Sequence, residues 1–130
     1  MGGEKELRTL LKTMKPKLND GDYVFCTVHA ASRIDLSEVL MIFNEQEAIT
    51  VVLKKEIADK LNLSYTYIAS WVTLTVHSSL EAVGFTAAFS KALADANIST
   101  NVVAAFFHDH LFVDKKDAQR AMEILNRFSE

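Results

Sequence analysis

A degenerate internal repeat is the feature that most limits how this chain of 130 residues can fold. The tripeptide Thr-Val-His occurs at positions 27–29 and again at positions 75–77. Two lysines followed by an acidic residue occur at positions 54–56 and again at 115–117, after a pair of apolar runs in each case. Because the elements around both matches come in the same order, the sequence predicts a duplicated module.

The spacing of apolar residues predicts the elements of each copy. The second copy is expected to contain a strand, a long helix from about Leu80 to Ala96, a hairpin and a closing helix. In the first copy, the helix after the first strand is expected to be reduced to a loop or a single turn. Ser78 or Ser79 is predicted to cap the long helix. Asp109 is predicted to occupy the turn of the second hairpin, in the run His-Asp-His.

Strand–helix–strand units of this kind predict an α+β fold in which helices cover one side of a sheet. Hydrophobic residues make up 49% of the chain and charged residues 24%, which is typical of a globular domain. The net charge of −3 gives no electrostatic reason to expect a nucleic-acid partner. No apolar signal region or membrane-spanning stretch is present in the sequence, so we expect a cytoplasmic protein without membrane contact. Cys26 is the single cysteine and is expected to be a buried strand residue.

The segment from Trp71 to the C-terminus resembles an ACT domain, a small-molecule-sensing module with a ferredoxin-like βαββαβ fold. The resemblance rests on the strand "WVTLTV", the loop "HSSLEAVGF", the helix that ends in "ALADANIS" and the hairpin "NVVAAFFHDHLFV". The whole chain resembles small bacterial proteins of two tandem ACT modules, related to the paired modules of aspartate kinases and arginine sensors. The resemblance implies a degenerate half at residues 1–66, an ACT domain at 67–130, and an antiparallel sheet with helices on one face.

The resemblance also implies a ligand site. In ACT domains that bind amino acids, the ligand contacts the loop before the first helix and the main chain of the strand after that helix. The corresponding residues here are His77, Ser78, Ser79, Leu80, Val83, Gly84, Asn101, Val102, Val103 and Ala104. Free amides at a helix N-terminus attract a carboxylate, and a glycine permits a close approach. The loop has Ser78-Ser79-Leu80 where many such modules have an acidic residue followed by Pro-Gly, which leaves the identity of the ligand open.

Other kinds of site have weaker support in the sequence. His77 beside two serines lacks the third group that would orient a catalytic base, so no catalytic residue is predicted. His108 and His110 provide two ligands where zinc sites have three or four, so no metal site is predicted. Trp71 is a candidate either for stacking on a ligand or for packing between the two halves.

The sequence therefore predicts a non-enzymatic regulatory protein that binds an amino acid or a similar small metabolite, needs no cofactor and forms a homo-oligomer. The alternative is an oligomerisation or protein-interaction module with a vestigial ligand pocket. A small enzyme that uses His77 or the pair His108 and His110 is the third hypothesis. Because Ala30 and Ala31 replace the two serines in the first copy, any single ligand site is expected in the second copy.

Overall fold

The structure is a computed structural model that describes residues 2–30, 32, 34–76 and 83–130, with side chains described from Glu6 onward. Its helices and strands, in chain order, are α1 (Gly2–Thr13), β1 (Lys15–Leu18), β2 (Tyr23–Val28), β3 (Val39–Asn44), β4 (Ile49–Lys54), α2 (Lys55–Lys60), β5 (Ala69–Thr75), α3 (Phe85–Asp95), β6 (Thr100–Ala104), β7 (Asp109–Asp114) and α4 (Ala118–Asn126).

The chain forms two compact units that do not follow a simple division into halves. The inserted unit contains Gly21–Ala69, and the split unit contains Met1–Asp20 together with Ser70–Glu130. The sequence predicted a boundary between residues 66 and 67, close to the end of the inserted unit. The prediction assigned residues 1–20 to the N-terminal half, whereas the structure groups Met1–Asp20 with the C-terminal part of the chain.

The inserted unit is built on the antiparallel strands β3, β4 and β2, with β4 in the middle. One side of these strands forms a core whose buried members are Val24, Cys26, Val28, Val51, Leu53 and Ala58 of α2. Cys26 is buried in this core, as its apolar surroundings in the sequence predicted. In the described part of the connection from β2 to β3, Leu36–Glu38 form a 3-10 turn, and Asp35 accepts a hydrogen bond from the amide of Ser37 at 3.0 Å. In its described part, this connection has 3-10 structure where the second copy has its long helix.

The split unit contains β1, β5, β7 and β6, in that order across its sheet. Strand β1 pairs antiparallel with β5, from Lys15 opposite Thr75 to Leu18 opposite Val72. The core of the split unit contains residues of β5, α3, β7 and α4. Four of its fully buried members are Phe89, Leu93, Leu111 and Leu125. The apolar face of α1, which carries Leu7, Leu10 and Leu11, packs against the same core. These contacts explain why residues 1–20 belong to this unit.

Two details of the split unit correct the sequence-based expectations. Helix α3 begins at Phe85, because Gly84 has a φ of +90° and cannot continue a right-handed helix. Its N-cap is therefore Gly84 and not Ser78 or Ser79. The second hairpin turns at Ala105–His108, where the amide of Ala105 donates to the carbonyl oxygen of His108 at 3.0 Å. The predicted turn at His-Asp-His is wrong.

If α1 and β1 are integral to the split unit, residues 67–130 cannot fold by themselves. We expect a fragment of residues 67–130 to lose the cooperative urea transition of the full chain, because it exposes the core surface that Leu7, Leu10 and Leu11 cover. Circular dichroism during urea titration measures this. A fragment that unfolds cooperatively at the midpoint of the full chain would instead support an independent domain at 67–130.

Candidate functional site

The predicted ligand site lies partly within the described structure. His77, Ser78, Ser79 and Leu80 lie outside the described residues. Val83 and Gly84 immediately precede α3, and the side chain of Val83 is 86% exposed. A Cβ atom at Gly84 would lie 3.2 Å from Cδ2 of Leu7, a tight contact in addition to the strained φ. Gly84 thus lets the backbone turn into α3 directly against α1.

The start of α3 offers hydrogen-bond donors to a ligand. The amide of Ala88 donates to the carbonyl oxygen of Gly84 at 2.9 Å, which is the first bond of the helix. The amides before Ala88 have no partner within the helix, and no side chain of the cap residue serves them. The helix dipole adds a partial positive charge at this end. An anionic group of a ligand is therefore favoured near Gly84.

The other predicted contact residues, Asn101, Val102, Val103 and Ala104, lie on β6. This strand pairs with β7, from Thr100 opposite Val113 to Ala104 opposite Asp109. Val102 packs against the core, whereas Asn101 and Ala104 are exposed. Among the strands that the structure describes, β6 has no partner on its other edge. Main-chain groups on that edge face away from the sheet.

The connection from α3 to β6 is held by a hydrogen bond to the last turn of α3 and by another from α4. Asn97 adopts a left-handed conformation with φ of 61°, and the amide of Ile98 donates to the carbonyl oxygen of Leu93 at 3.0 Å. Nη2 of Arg120 on α4 donates to the carbonyl oxygen of Ala96 at 2.6 Å. These contacts close the C-terminal end of α3 and fix the point where β6 begins. Of the described residues predicted to contact a ligand, Val83 and Gly84 therefore precede α3 and the others follow it on β6.

A polar network that the sequence did not predict lies on the other face of the split-unit strands. Nε1 of Trp71 donates to Nδ1 of His110 at 3.0 Å, and Oγ1 of Thr73 lies 3.0 Å from the same nitrogen. Nδ2 of Asn19 donates to Oγ1 of Thr73 at 2.9 Å and to the carbonyl oxygen of Trp71 at 3.2 Å. Alternation along β5 could have placed Trp71 and Thr73 on one face. The partner His110 depends on the order of strands, which the sequence does not reveal.

The network fixes the protonation of His110. An indole N–H can only donate, so Nδ1 of His110 accepts and the neutral ring carries its proton on Nε2. Burial lowers the pKa of His110 and nearby His108 lowers it further, while Asp109 acts in the opposite direction. Burial raises the pKa of Asp109, whose residue is only 8% exposed. Within the described residues, no group of three or more histidine, cysteine, aspartate or glutamate side chains could hold a metal ion.

The lowered pKa of His110 predicts a loss of stability in mild acid. Below about pH 6.5, His110 takes up a proton in the unfolded chain more readily than in the folded chain. The free energy of unfolding therefore decreases as the pH is lowered, until the pH is below the pKa of His110 in the folded chain. We expect His110→Gln, which keeps an acceptor for Trp71, to reduce the difference between urea midpoints at pH 8 and pH 5.5. His29→Gln, at an exposed histidine, is the control.

The raised pKa of Asp109 affects stability in the opposite direction. Asp109 takes up a proton more readily in the folded chain than in the unfolded chain, so it increases the free energy of unfolding as the pH is lowered. The comparison is therefore repeated in an Asp109→Asn background. If His110→Gln and His29→Gln change the pH dependence equally there, the proposed protonation of His110 is wrong.

Comparison with known families identifies both parts of the chain. One model of the ACT domain matches residues 2–70, and a second model of the ACT domain matches residues 67–127. A search of curated proteins found no match. Among the helices that the structure describes, none has the length and apolar character needed to cross a membrane.

Solved structures show the same fold over nearly the whole chain. A protein of unknown function from Vibrio cholerae, described as a possible transport protein, is 47% identical, with 98% of this chain and 99% of that chain covered and a TM-score of 0.89. A protein from Agrobacterium tumefaciens is 17% identical, with 89% of each chain covered and a TM-score of 0.72. The ligand-free regulatory subunit of aspartate kinase from Thermus thermophilus is 9% identical, with 91% of this chain and 100% of that chain covered and a TM-score of 0.68.

Proposed function

Because the chain belongs to the ACT domain family and carries two such modules in tandem, we propose that it is a regulatory protein that binds an amino acid or a similar small metabolite. The observation that carries the proposal is the match of two ACT models to nearly all of its residues. Paired ACT domains are regulatory modules, and the fold is shared with a regulatory subunit of aspartate kinase. We therefore propose that the protein has no catalytic activity of its own.

The start of α3 and the strand β6 are the proposed binding elements. The amides that follow Gly84 would bind the carboxylate of the ligand, with Ser78 and Ser79 as further donors and His77 and Leu80 at the border. Main-chain groups of Val102–Ala104 on β6 would complement the ammonium and the carboxylate of the ligand. What supports this assignment is that β6 follows α3 directly in the chain and that hydrogen bonds hold the connection between them.

The regulatory effect would come from differential binding. A ligand changes an equilibrium between two arrangements only by as much as its affinities for them differ. In this protein the two arrangements would be two states of a homo-oligomer, one of which presents a more complete site. Ligand binding would then be measurable as a change in association.

Isothermal titration calorimetry with each of the twenty amino acids tests the proposal. We expect heat of binding for at least one of them and a loss of about tenfold in affinity for Ser79→Ala, because one hydrogen bond to a charged group is removed. The control is Ser129→Ala, at an exposed serine whose hydroxyl donates to the carbonyl oxygen of Asn126. No heat with any amino acid would contradict the proposal, and an equal loss in both variants would contradict the role of Ser79.

The alternative function is an oligomerisation or protein-interaction module. It is favoured by Phe106 and Phe107 at the turn of the β6–β7 hairpin, which are 78% and 74% exposed. The centroids of their two rings lie 5.1 Å apart, and the rings are arranged edge to face. Two large aromatic side chains in water at one turn are typical of a contact surface.

The two functions differ in how the Phe106 and Phe107 pair should behave. If the pair forms an interface, the double variant Phe106→Ser, Phe107→Ser is expected to lower the mass measured by light scattering, because about 1 kcal/mol or more is lost for each buried ring. Leu36→Ser, at a leucine that is 72% exposed, is the control. An unchanged mass in the double variant would exclude the pair from any self-association.

A further inference from the structure

The inserted unit has an apolar cleft that extends from the face of its strands opposite the core to Cys26 of the core itself. Val24, Cys26 and Val28 alternate along β2 and belong to the core, so Phe25 lies on the opposite side. Phe43 on β3 pairs with Thr50 on β4. Val52 on β4 pairs with Met41 on β3 on one side and with Phe25 on β2 on the other. Cross-strand partners share a face, so these residues of β2, β3 and β4 lie together on the side opposite the core, where Val52 is fully buried and Phe43 is exposed.

A segment after α2 forms the remaining wall of the cleft. Ser64, Tyr65 and Thr66 line it together with the strand residues, and the cleft has a volume of about 600 Å³. That volume lies within the usual range of small-molecule sites, about 300–1,000 Å³. Next to this segment, the ring of Tyr67 stacks on that of Phe25 with their centroids 6.1 Å apart. The segment is thereby held against the sheet.

The ring of Tyr65 is held in place by its hydroxyl. The Tyr65 hydroxyl donates to Oδ1 of Asp59 at 2.7 Å, and Nζ of Lys55 donates to Oδ2 of the same carboxylate at 2.9 Å. The hydrogen bond from Lys55 lowers the pKa of Asp59, and the bond from Tyr65 lowers it further. Asp59 therefore stays ionised at neutral pH and continues to accept from Tyr65. Tyr65 also packs against the core of the inserted unit, so the part of the cleft that it lines is preformed.

The cleft carries a single charged group. Of the described residues that line it, Glu45 is the only aspartate or glutamate, and no lysine, arginine or histidine is among them. Oε1 of Glu45 accepts a hydrogen bond from the hydroxyl of Thr50. Phe43 beside it is 63% exposed, which is unusual for a phenylalanine on a strand. The lining therefore disfavours an anionic ligand and leaves an aromatic face open beside a carboxylate.

We propose that this cleft is a second ligand site, which binds an organic cation with an apolar body and without a carboxylate. The rings of Phe25, Phe43 and Tyr65 attract a cation through their π faces, and Glu45 supplies the opposite charge. The apolar body of the ligand removes Met41 and Phe43 from water. The site lies wholly within the inserted unit and shares no residue with the amino-acid site proposed on α3 and β6. Its failure or success is therefore independent of the proposed function.

Three probes of similar size separate charge from apolar burial. Phenylethylammonium is the cation, 3-phenylpropan-1-ol the neutral compound and 3-phenylpropionate the anion. We expect the cation to bind about tenfold more tightly than the alcohol, and the anion to show no binding, in calorimetry and in amide chemical-shift changes of β2 and β3. Equal affinity for the cation and the anion, or no binding of the cation, would overturn the proposal.

Two variants assign the effect to the cleft. Glu45→Gln keeps an oxygen for Thr50 and is expected to remove most of the preference for the cation over the alcohol. Phe43→Ala is expected to weaken the binding of both compounds, and because Phe43 is largely exposed it should leave the urea midpoint nearly unchanged. Glu47→Gln in the same hairpin and Leu36→Ala, at an exposed leucine that does not line the cleft, are the matched controls, and neither should alter binding.

A second copy of the chain is the competing occupant of this face. Light scattering across a hundredfold range of protein concentration distinguishes it from a small molecule. If Phe43→Ala lowers the mass while the cation binds neither variant nor native protein, the cleft is an interface and the proposal is wrong. A cation affinity that is independent of protein concentration supports the ligand site.

Discussion

The antiparallel pairing of β1 with β5 is the interaction on which the split unit depends. It joins two segments between which the whole inserted unit intervenes in the sequence, so a loop of about fifty residues must close when it forms. Asn19 adds to the pairing, because its amide donates to the carbonyl oxygen of Trp71 at 2.9 Å and its side chain reaches Thr73. Only this closure brings α1 onto the core beside α3 and gives Gly84 its close neighbour Leu7.

Local patterns were sufficient to predict most of the elements. Burial alternates along most of β2, and α3 and α4 each bury an apolar face, as the repeat periods of strands and helices predict. Strands β5 and β7 are instead buried at consecutive positions. The duplicated module, the α+β class and a loop or single turn in place of a helix in the first copy were predicted from the order of these patterns, whereas the ferredoxin-like fold was predicted from the resemblance to ACT domains. Each of these properties depends on residues that are close together in the sequence.

The two errors of element position have distinct physical causes. The apolar spacing of the residues around Gly84 continues that of α3, so no local pattern indicates that Gly84 adopts a φ of +90°. At the second hairpin, Phe106 and Phe107 extend the apolar run of β6, whereas the structure leaves both exposed in the turn. Asp109, a common turn residue, instead begins β7 and is buried. A pattern that assumes apolar residues inside and polar residues outside fails where a turn exposes aromatic rings.

The proposed amino-acid site could be predicted from the sequence, whereas the network around His110 and the cleft of the inserted unit could not. The loop before α3 and the residues of β6 follow from resemblance to a family. The bond from Trp71 to His110 and the cleft of the inserted unit need the order and register of strands, which only the fold provides. Both of these sites include side chains on the strand faces opposite the cores, and the sequence does not reveal which of these side chains are neighbours.

The repeated Thr-Val-His shows how far the two modules have diverged in chemistry. In the split unit the hydroxyl of Thr75 donates to the carbonyl oxygen of Lys15 at 2.6 Å, so it is used in holding β1. In the inserted unit the equivalent Thr27 lies on the lining of the cleft beside aromatic side chains. The same residue therefore supports strand pairing in one copy and borders an open cavity in the other. If each module binds a ligand, the amides at α3 favour an anionic group and Glu45 favours a cationic one, so duplication has produced sites of opposite charge preference.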